Sequence, residues 1–235
     1  MSRPVAILAG GLATRLRPLT QTVPKALIEV AGKPFITHQI EALKKQGISR
    51  IVLCVGFLGD KIQQALGDGS RWDVQIDYIF DGAKPVGTGG ALKRALPQLG
   101  DSFFVLYGDS YLTVSYSKMA SSFERSGKLA MMSVYRNQGR WDSSNVVFVD
   151  GMVFSYDKRR PDSKAQYIDY GLSVMGQAAL ADVPEDHPAD LADVLGQLAK
   201  RGQLAGFEVF DRFYEIGSPA GLAETRIYLS KQNAE

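Results

Sequence analysis

Apolar residues in the first half of the chain come in strand-length runs, at 4–9, 50–56, 74–80 and 102–109. Runs this short, rich in β-branched and aromatic side chains and bounded by glycine or polar clusters, read as buried strands. The segments between them follow a different period. Within 34–46, Ile36, Ile40 and Leu43 recur at helical spacing, with Pro34 placed for the first helical position and Gly47 as a stop. Residues 59–67 predict a second, short helix, and 88–96 a third that Pro97 ends. Strand and helix taking turns predicts a doubly wound, parallel α/β sheet.

The pattern changes after about residue 127. The runs 128–136, 145–150 and 152–158 alternate as strands, and the Asp150-Gly151 turn between the last two predicts antiparallel pairing. Helical patterns return at 190–201 and 218–231. No linker, low-complexity tract or internal repeat interrupts the chain, and no six-residue repeat follows the last helix. The expectation is one domain over 1–235 made of two halves, 1–127 and 128–235, with no appended β-helix.

Composition narrows the function classes. The 235 residues are 45% hydrophobic and 22% charged, enough for one α/β domain with a sizeable core. A formal net charge of +2 gives no basic field for nucleic acid, so any phosphate recognition is expected to be local. No apolar run approaches the ~20 residues of a membrane span, and no signal-like segment precedes the first strand. The single cysteine, Cys54, reads as a small buried hydrophobe in a strand rather than a nucleophile. A cytoplasmic protein, monomeric or a small homo-oligomer, is expected.

Candidate chemistry begins where the first strand ends. The stretch LAGGLATRLRP (8–18) places Gly10 and Gly11 after Leu8, and then Arg15 and Arg17. It lacks the spacing of a dinucleotide fingerprint and the G-K-[ST] of a Walker A loop. A glycine turn still frees backbone N–H groups for an anion, and Arg15 can clamp phosphate bidentately. Taken alone, the loop reads equally as a glycine turn with solvated arginines. Further along, Lys25 follows Pro24, whose fixed geometry aims an ammonium. A second glycine cluster, Gly87-Thr88-Gly89-Gly90, opens the third predicted helix and offers backbone groups to a flat base. Asp109 ends an apolar strand, where a carboxylate is placed for a metal ion beside phosphates.

The ordered set LAGGLATRLRPLT, PKAL, AGKP, GTGGAL and YGDS resembles the sugar-1-phosphate nucleotidyltransferase family. The segments YDK (156–158), IDYGLSV (168–174) and FYEIGSP (213–219) carry the resemblance through nearly the whole chain. It implies a Rossmann-like mixed sheet of the glycosyltransferase-A-like type. It further implies in-line attack of a sugar 1-phosphate on a nucleoside triphosphate with loss of pyrophosphate, a step in nucleotide-sugar biosynthesis. By resemblance Arg15, Lys25 and Asp109 are catalytic, and Asp109 with Glu215 holds Mg²⁺, for which Mn²⁺ substitutes. Leu8, Gly10, Gly11, Arg15, Asp81, Gly87, Thr88 and Gly89 would bind the nucleotide. Lys158 would hold the sugar phosphate, Asp169 would accept from sugar hydroxyls, and Asn145 and Gly171 would line the sugar.

Two positions depart from the family pattern. Ala13 stands where a third glycine is usual, at a cost of roughly 1–2 kcal/mol if its backbone is left-handed. Glu215 stands where aspartate is usual, which alters the reach of a metal ligand. The stretch VGTGGAL is most similar to guanylyltransferases acting on mannose or heptose 1-phosphate, and Asp81 offers two acceptors to the adjacent donors of guanine. Uridylyl, cytidylyl and thymidylyl transfer share the scaffold, and a non-catalytic sugar-nucleotide sensor is a further alternative. A serine esterase built on Gly108-Asp109-Ser110 is disfavoured, because only His38 and His187 are present and neither follows the spacing such a block needs.

Overall fold

The computed structural model describes residues 3–82, 84–141, 143–185 and 187–232. Strand β1 (Val5–Ala9) leads through one-turn 3₁₀ segments to the paired strands β2 (Glu29–Val30) and β3 (Lys33–Pro34). Then come α1 (Phe35–Lys45), β4 (Arg50–Val55), α2 (Gly59–Leu66), β5 (Gln75–Phe80), α3 (Gly87–Leu99) and β6 (Ser102–Tyr107). The second half adds β7 (Ser110–Tyr111), α4 (Tyr116–Ser126), β8 (Ala130–Arg136), β9 (Val146–Val149), β10 (Met152–Tyr156) and β11 (Tyr167–Gly176). It closes with α5 (Leu191–Lys200), β12 (Leu204–Val209), β13 (Tyr214–Glu215) and α6 (Pro219–Gln232).

One nine-stranded sheet runs through both halves in the order β5-β4-β1-β6-β11-β8-β12-β10-β9. The strands β5, β4, β1 and β6 are parallel, and β11 joins β6 antiparallel, so the sheet is mixed as expected. Alternation along each strand divides the core into two layers. Val5, Ile7 and Leu53 face the side covered by α1, α2 and α4, whereas Ala6, Val52 and Cys54 face α3 and α5. A third, smaller cluster joins Leu16 and Ile28 to Ile216, Leu222 and Leu229, so α6 closes over the loop that follows β1.

Two sequence expectations need correction. Pro97 does not end α3 but lies inside it. Ala91, Leu92, Ala95 and Leu99 keep helical spacing past the proline and are buried, and Gly100, at φ +67°, ends the helix instead. Pro34 is the N-cap of α1 rather than its first residue. The Asp150-Gly151 turn has positive φ at both residues and joins β9 to β10 antiparallel, which matches the right-handed strand twist.

Candidate active site at the reversal of strand order

From β1 the sheet first grows outward to β4 and β5, and the chain then crosses to β6 on β1's other flank. Ligands of open α/β sheets bind outside the carboxyl ends of the strands at such a reversal. A cleft of about 370 Å³ lies there. Leu8, Gly10, Gly11, Lys25, Asp81, Gly87, Thr88 and Asp109 line it, and so does Tyr107, which the motifs had not singled out. Arg15 and Gly89 are outside that lining.

The loop after β1 turns through Ala13, which is left-handed (φ +47°, ψ +45°) despite its β-carbon. Its carbonyl accepts from Leu16 N at 3.1 Å and from the Thr20 hydroxyl at 2.8 Å, and these bonds offset the strain. Leu16 is buried beneath α6 while Arg15 faces outward. The Arg15 guanidinium reaches Gly217: a β-carbon there would lie 3.0 Å from Arg15 Nη2, 3.1 Å from Asp109 Oδ2 and 2.8 Å from Glu215 Oε2. Gly217 thus keeps open a space that two carboxylates and the arginine border.

Backbone bonds fix Asp109. Gly108 N donates to Leu8 O at 3.0 Å, and Ile216 N donates to Asp109 O at 2.9 Å. The Gln39 amide donates to the carbonyls of Tyr107 (3.1 Å) and Ser110 (2.7 Å), bracing both sides of the turn. The Asp109 carboxylate meets the Lys25 ammonium at 2.6 Å, with both side chains partly exposed. Strands β7 and β13 set Glu215 opposite Ser110. Its carboxylate accepts from Gly217 N, Ser218 N and the Ser218 hydroxyl at the start of α6, where an anion meets the positive end of the helix. The extra methylene of glutamate permits that bend toward the helix. Among the described residues, no three His, Cys, Asp or Glu side chains gather as a ready metal cluster.

The α3 side of the cleft is built from two distant segments. Gly89 N and Gly90 N both donate to Ala189 O, and Ala189 N donates to Val86 O. Gly87 (φ +74°) has no room for a β-carbon, which would sit 2.3 Å from Ala189 O. The Thr88 hydroxyl donates to Asp190 and accepts from Leu191 N at 2.8 Å. Polar groups of the glycine cluster therefore hold α3 to α5, and Gly89 N–H is not available to a base. Asp81 stays at the cleft floor, with Oδ2 beside Gly10 and Gly56. Burial raises its pKa above the ordinary carboxylate range, with Arg94 and a bond from Val86 N partly opposing. Burial, and next to it the charge of Asp81, pushes the Cys54 thiol up to about 12, consistent with an inert thiol. His38 is buried, its Nε2 at 2.7 Å from Val30 O, and burial lowers its pKa. It bridges α1 to β2 away from the cleft lining.

Beyond Tyr107, a register shift in β11 between Asp169 and Ser173, with Gly171 at φ +103°, turns Asp169 inward. Its side chain is 4% exposed. Oδ2 accepts from Tyr107 OH at 3.0 Å and Tyr156 OH at 2.8 Å, with Lys158 Nζ at 3.4 Å, and Oδ1 accepts from Gly171 N at 3.0 Å. Asn145 Oδ1 accepts from Asp169 N at 3.3 Å. The structure thus brings Asn145, Lys158, Asp169 and Gly171 together, as the motifs led one to expect. It gives the Asp169 carboxylate to tyrosine hydroxyls, not to an open surface where sugar hydroxyls arrive. Tyr107 joins this cluster to the cleft.

The cleft lies in a doubly wound sheet, with a glycine turn after its first strand and a carboxylate at the point where the strand order reverses. The chain belongs to the nucleotidyl transferase family, whose profile matches residues 5–141. It is 28% identical over 219 residues to the mannose-1-phosphate guanylyltransferase catalytic subunit beta of Xenopus tropicalis, covering 91% of this chain and 61% of that protein. The chain thus spans about three fifths of the length of that curated relative. An N-acetylmuramate alpha-1-phosphate uridylyltransferase of Neisseria meningitidis is 43% identical over 112 residues, 47% of this chain and 48% of that protein. Among solved structures, HddC from Yersinia pseudotuberculosis complexed with GMP-PN superposes with a TM-score of 0.79 at 26% identity, covering 97% of this chain and all of that one.

Proposed function

We propose that the protein transfers a nucleotidyl group from a nucleoside triphosphate, with GTP preferred, to a sugar 1-phosphate, releasing pyrophosphate. The carrying observation is the meeting of the glycine turn, Lys25 and Asp109 at one cleft, with Arg15 beside Asp109 at Gly217. An oxygen of the sugar phosphate is ionised near neutral pH, so no general base is needed. It bonds to the α-phosphorus while the bond to the bridging oxygen breaks in line, and pyrophosphate leaves with that electron pair. The chain supplies binding, alignment and offset of negative charge. Arg15 and Lys25 serve the triphosphate, and Lys158 serves the sugar phosphate.

Asp109 would hold Mg²⁺, with Mn²⁺ as a substitute, and Glu215 would join it by giving up the Ser218 hydroxyl that now occupies its Oε1. The space that a β-carbon at Gly217 would fill lies about 3 Å from an oxygen of each carboxylate. Two carboxylates leave the remaining positions of an octahedron to water and phosphate oxygens, which suits Mg²⁺. When bound, the ion offsets phosphate charge.

The guanine preference rests on Asp81, with support from the guanylyltransferase relative and the structure complexed with GMP-PN. The uridylyltransferase likeness, confined to about half the chain, favours UTP as the second reading. Pyrophosphate release with each of four nucleoside triphosphates against a panel of sugar 1-phosphates tests both. Release with GTP supports the first reading, and release with UTP alone moves the assignment to uridylyl transfer. Binding without release would make the protein a sensor.

A further inference from the structure

The acceptor side holds a cluster whose role the motifs did not supply. Tyr107 closes β6, Tyr156 closes β10, and Asp169 is the third residue of β11, so three strands direct polar atoms to one point. Lys158 Nζ lies 3.4 Å from Asp169 Oδ2, 3.3 Å from Tyr107 OH and 4.7 Å above the centre of the Tyr107 ring. Tyr107 also walls the nucleotide cleft. The lysine therefore rests on the partition between cleft and acceptor side, and the carboxylate behind it is closed to solvent.

We propose that Tyr107, Tyr156 and Asp169 are positioning residues that aim the Lys158 ammonium at the phosphate of the acceptor, rather than groups that touch the sugar; this rests on the nucleotidyl-transfer reading above. Three observations support it. Asp169 Oδ2 already receives two hydroxyls besides the lysine, and Oδ1 receives Gly171 N, so little of its accepting capacity remains for a ligand. The two phenols can donate to the carboxylate only while they are protonated. Burial, then the charge of Asp169, raises the pKa of Tyr156 and keeps its hydroxyl a donor. For Lys158 burial alone would favour the neutral amine, but attraction to Asp169 and Tyr107 reverses that and leaves its pKa above the usual lysine value.

The charged surroundings on the other side do not account for the effect. Asp157, Arg159, Asp190, Asp193 and Lys200 line the neighbouring recess with Lys158, and Arg159 is engaged by Asp193 at 2.7 Å. Acids and bases are mixed there, whereas Asp169 stands alone among hydroxyls.

The test needs no turnover. The intact protein is treated with an amine-acylating reagent in steps from pH 8 to 10.5, and acylation of Lys158 is read by peptide mass spectrometry against exposed Lys45 as reference. In the wild type, Lys158 should react far more slowly than Lys45 up to pH 10. In Asp169→Asn it should react at least tenfold faster than in wild type at pH 9, with Lys45 unchanged. Tyr107→Phe and Tyr156→Phe should each raise the rate two- to fivefold, and they carry the test if Asp169→Asn does not fold. Kinetically, Asp169→Asn should develop an alkaline fall in kcat/KM for the sugar 1-phosphate, with KM for the triphosphate within twofold of wild type. A rise of both KM values together would mark a merely structural role and overturn the proposal. Equal Lys158 acylation in wild type and all folded variants would overturn it as well. Slow wild-type acylation in a protein that releases no pyrophosphate with any substrate pair would overturn the reaction assignment and leave the cluster standing.

Discussion

Two carboxylate–lysine pairs flank the same cleft and are built in opposite ways. Asp109 and Lys25 meet at 2.6 Å with side chains 26% and 19% exposed, and the Ser110 hydroxyl adds a weak bond to the carboxylate at 3.4 Å. Asp169 is 4% exposed, with both oxygens occupied, while its lysine is 44% exposed. The first pair holds its main chain rigidly and leaves its carboxylate free to take another ligand. The second closes its carboxylate off and presents only the cation. An acid that must change partners is kept near water, and one that must orient a neighbour is buried with its hydrogen bonds complete.

Exchanging the acids' roles by mutation breaks or sharpens that contrast. The largest expected effect is Asp109→Asn, which should lower kcat by ~10³-fold or more while the protein still folds, because the amide keeps the carboxylate's shape at a partly exposed site. Full activity of that variant in Mg²⁺ would remove Asp109 from the site, and a chelator should abolish wild-type activity reversibly. For Asp169→Ala the balance shifts to stability. Breaking this half-buried pair should cost about 2–3 kcal/mol, below the range for fully buried pairs because the Lys158 side chain is 44% exposed. The unfolding midpoint should then fall by roughly 5–10 °C in calorimetry. An unchanged midpoint would make the two carboxylates equivalent.

Arg15→Ala should lower kcat by ~10²-fold, the loss of one preorganised charge contact. A near-normal kcat would reduce the loop to a structural turn. Asp81→Asn should reduce the preference for GTP over UTP by about 1–3 kcal/mol in kcat/KM, as one donor loses its acceptor. Since burial raises the pKa of Asp81, protonation on acidification should erode the same preference at a pH above the ordinary carboxylate value of about 4. The smallest effect is Ala13→Gly: relief of left-handed strain of about 1–2 kcal/mol, less glycine's added chain entropy, should raise the midpoint by about 2 °C.

Much of this was legible in the sequence, for identifiable reasons. Runs such as 50–56 and 102–109 are apolar because their strands are buried on both faces, so composition alone marks them. The motif residues Gly10, Lys25 and Asp109 fall at strand or turn ends that local punctuation reveals. What escaped depends on contacts between distant segments. β7 and β13 are two residues each, too short for any period, yet they bring Glu215 opposite Ser110. Gln39 is one polar residue in an amphipathic helix, and nothing local says that its amide braces residues 107 and 110. Tyr107 and Tyr156 look like ordinary strand aromatics until their strands meet. Pro97 misled because burial of Leu99 outweighs what a proline signals locally.

The contact of Ala189 with the turn at Gly87 has a consequence for the order in which this protein matures during synthesis. Gly89 and Gly90 lie in the first half of the chain, but their N–H groups find their acceptor a hundred residues later, and Asp109 O waits for Ile216. A ribosome that has released only residues 1–127 has released every strand that walls the cleft, but not the segments that seat its floor and rim. The cleft is therefore completed only once residue 216 has emerged, and a fragment cut at residue 127 would carry the motifs without the shape that makes them a site.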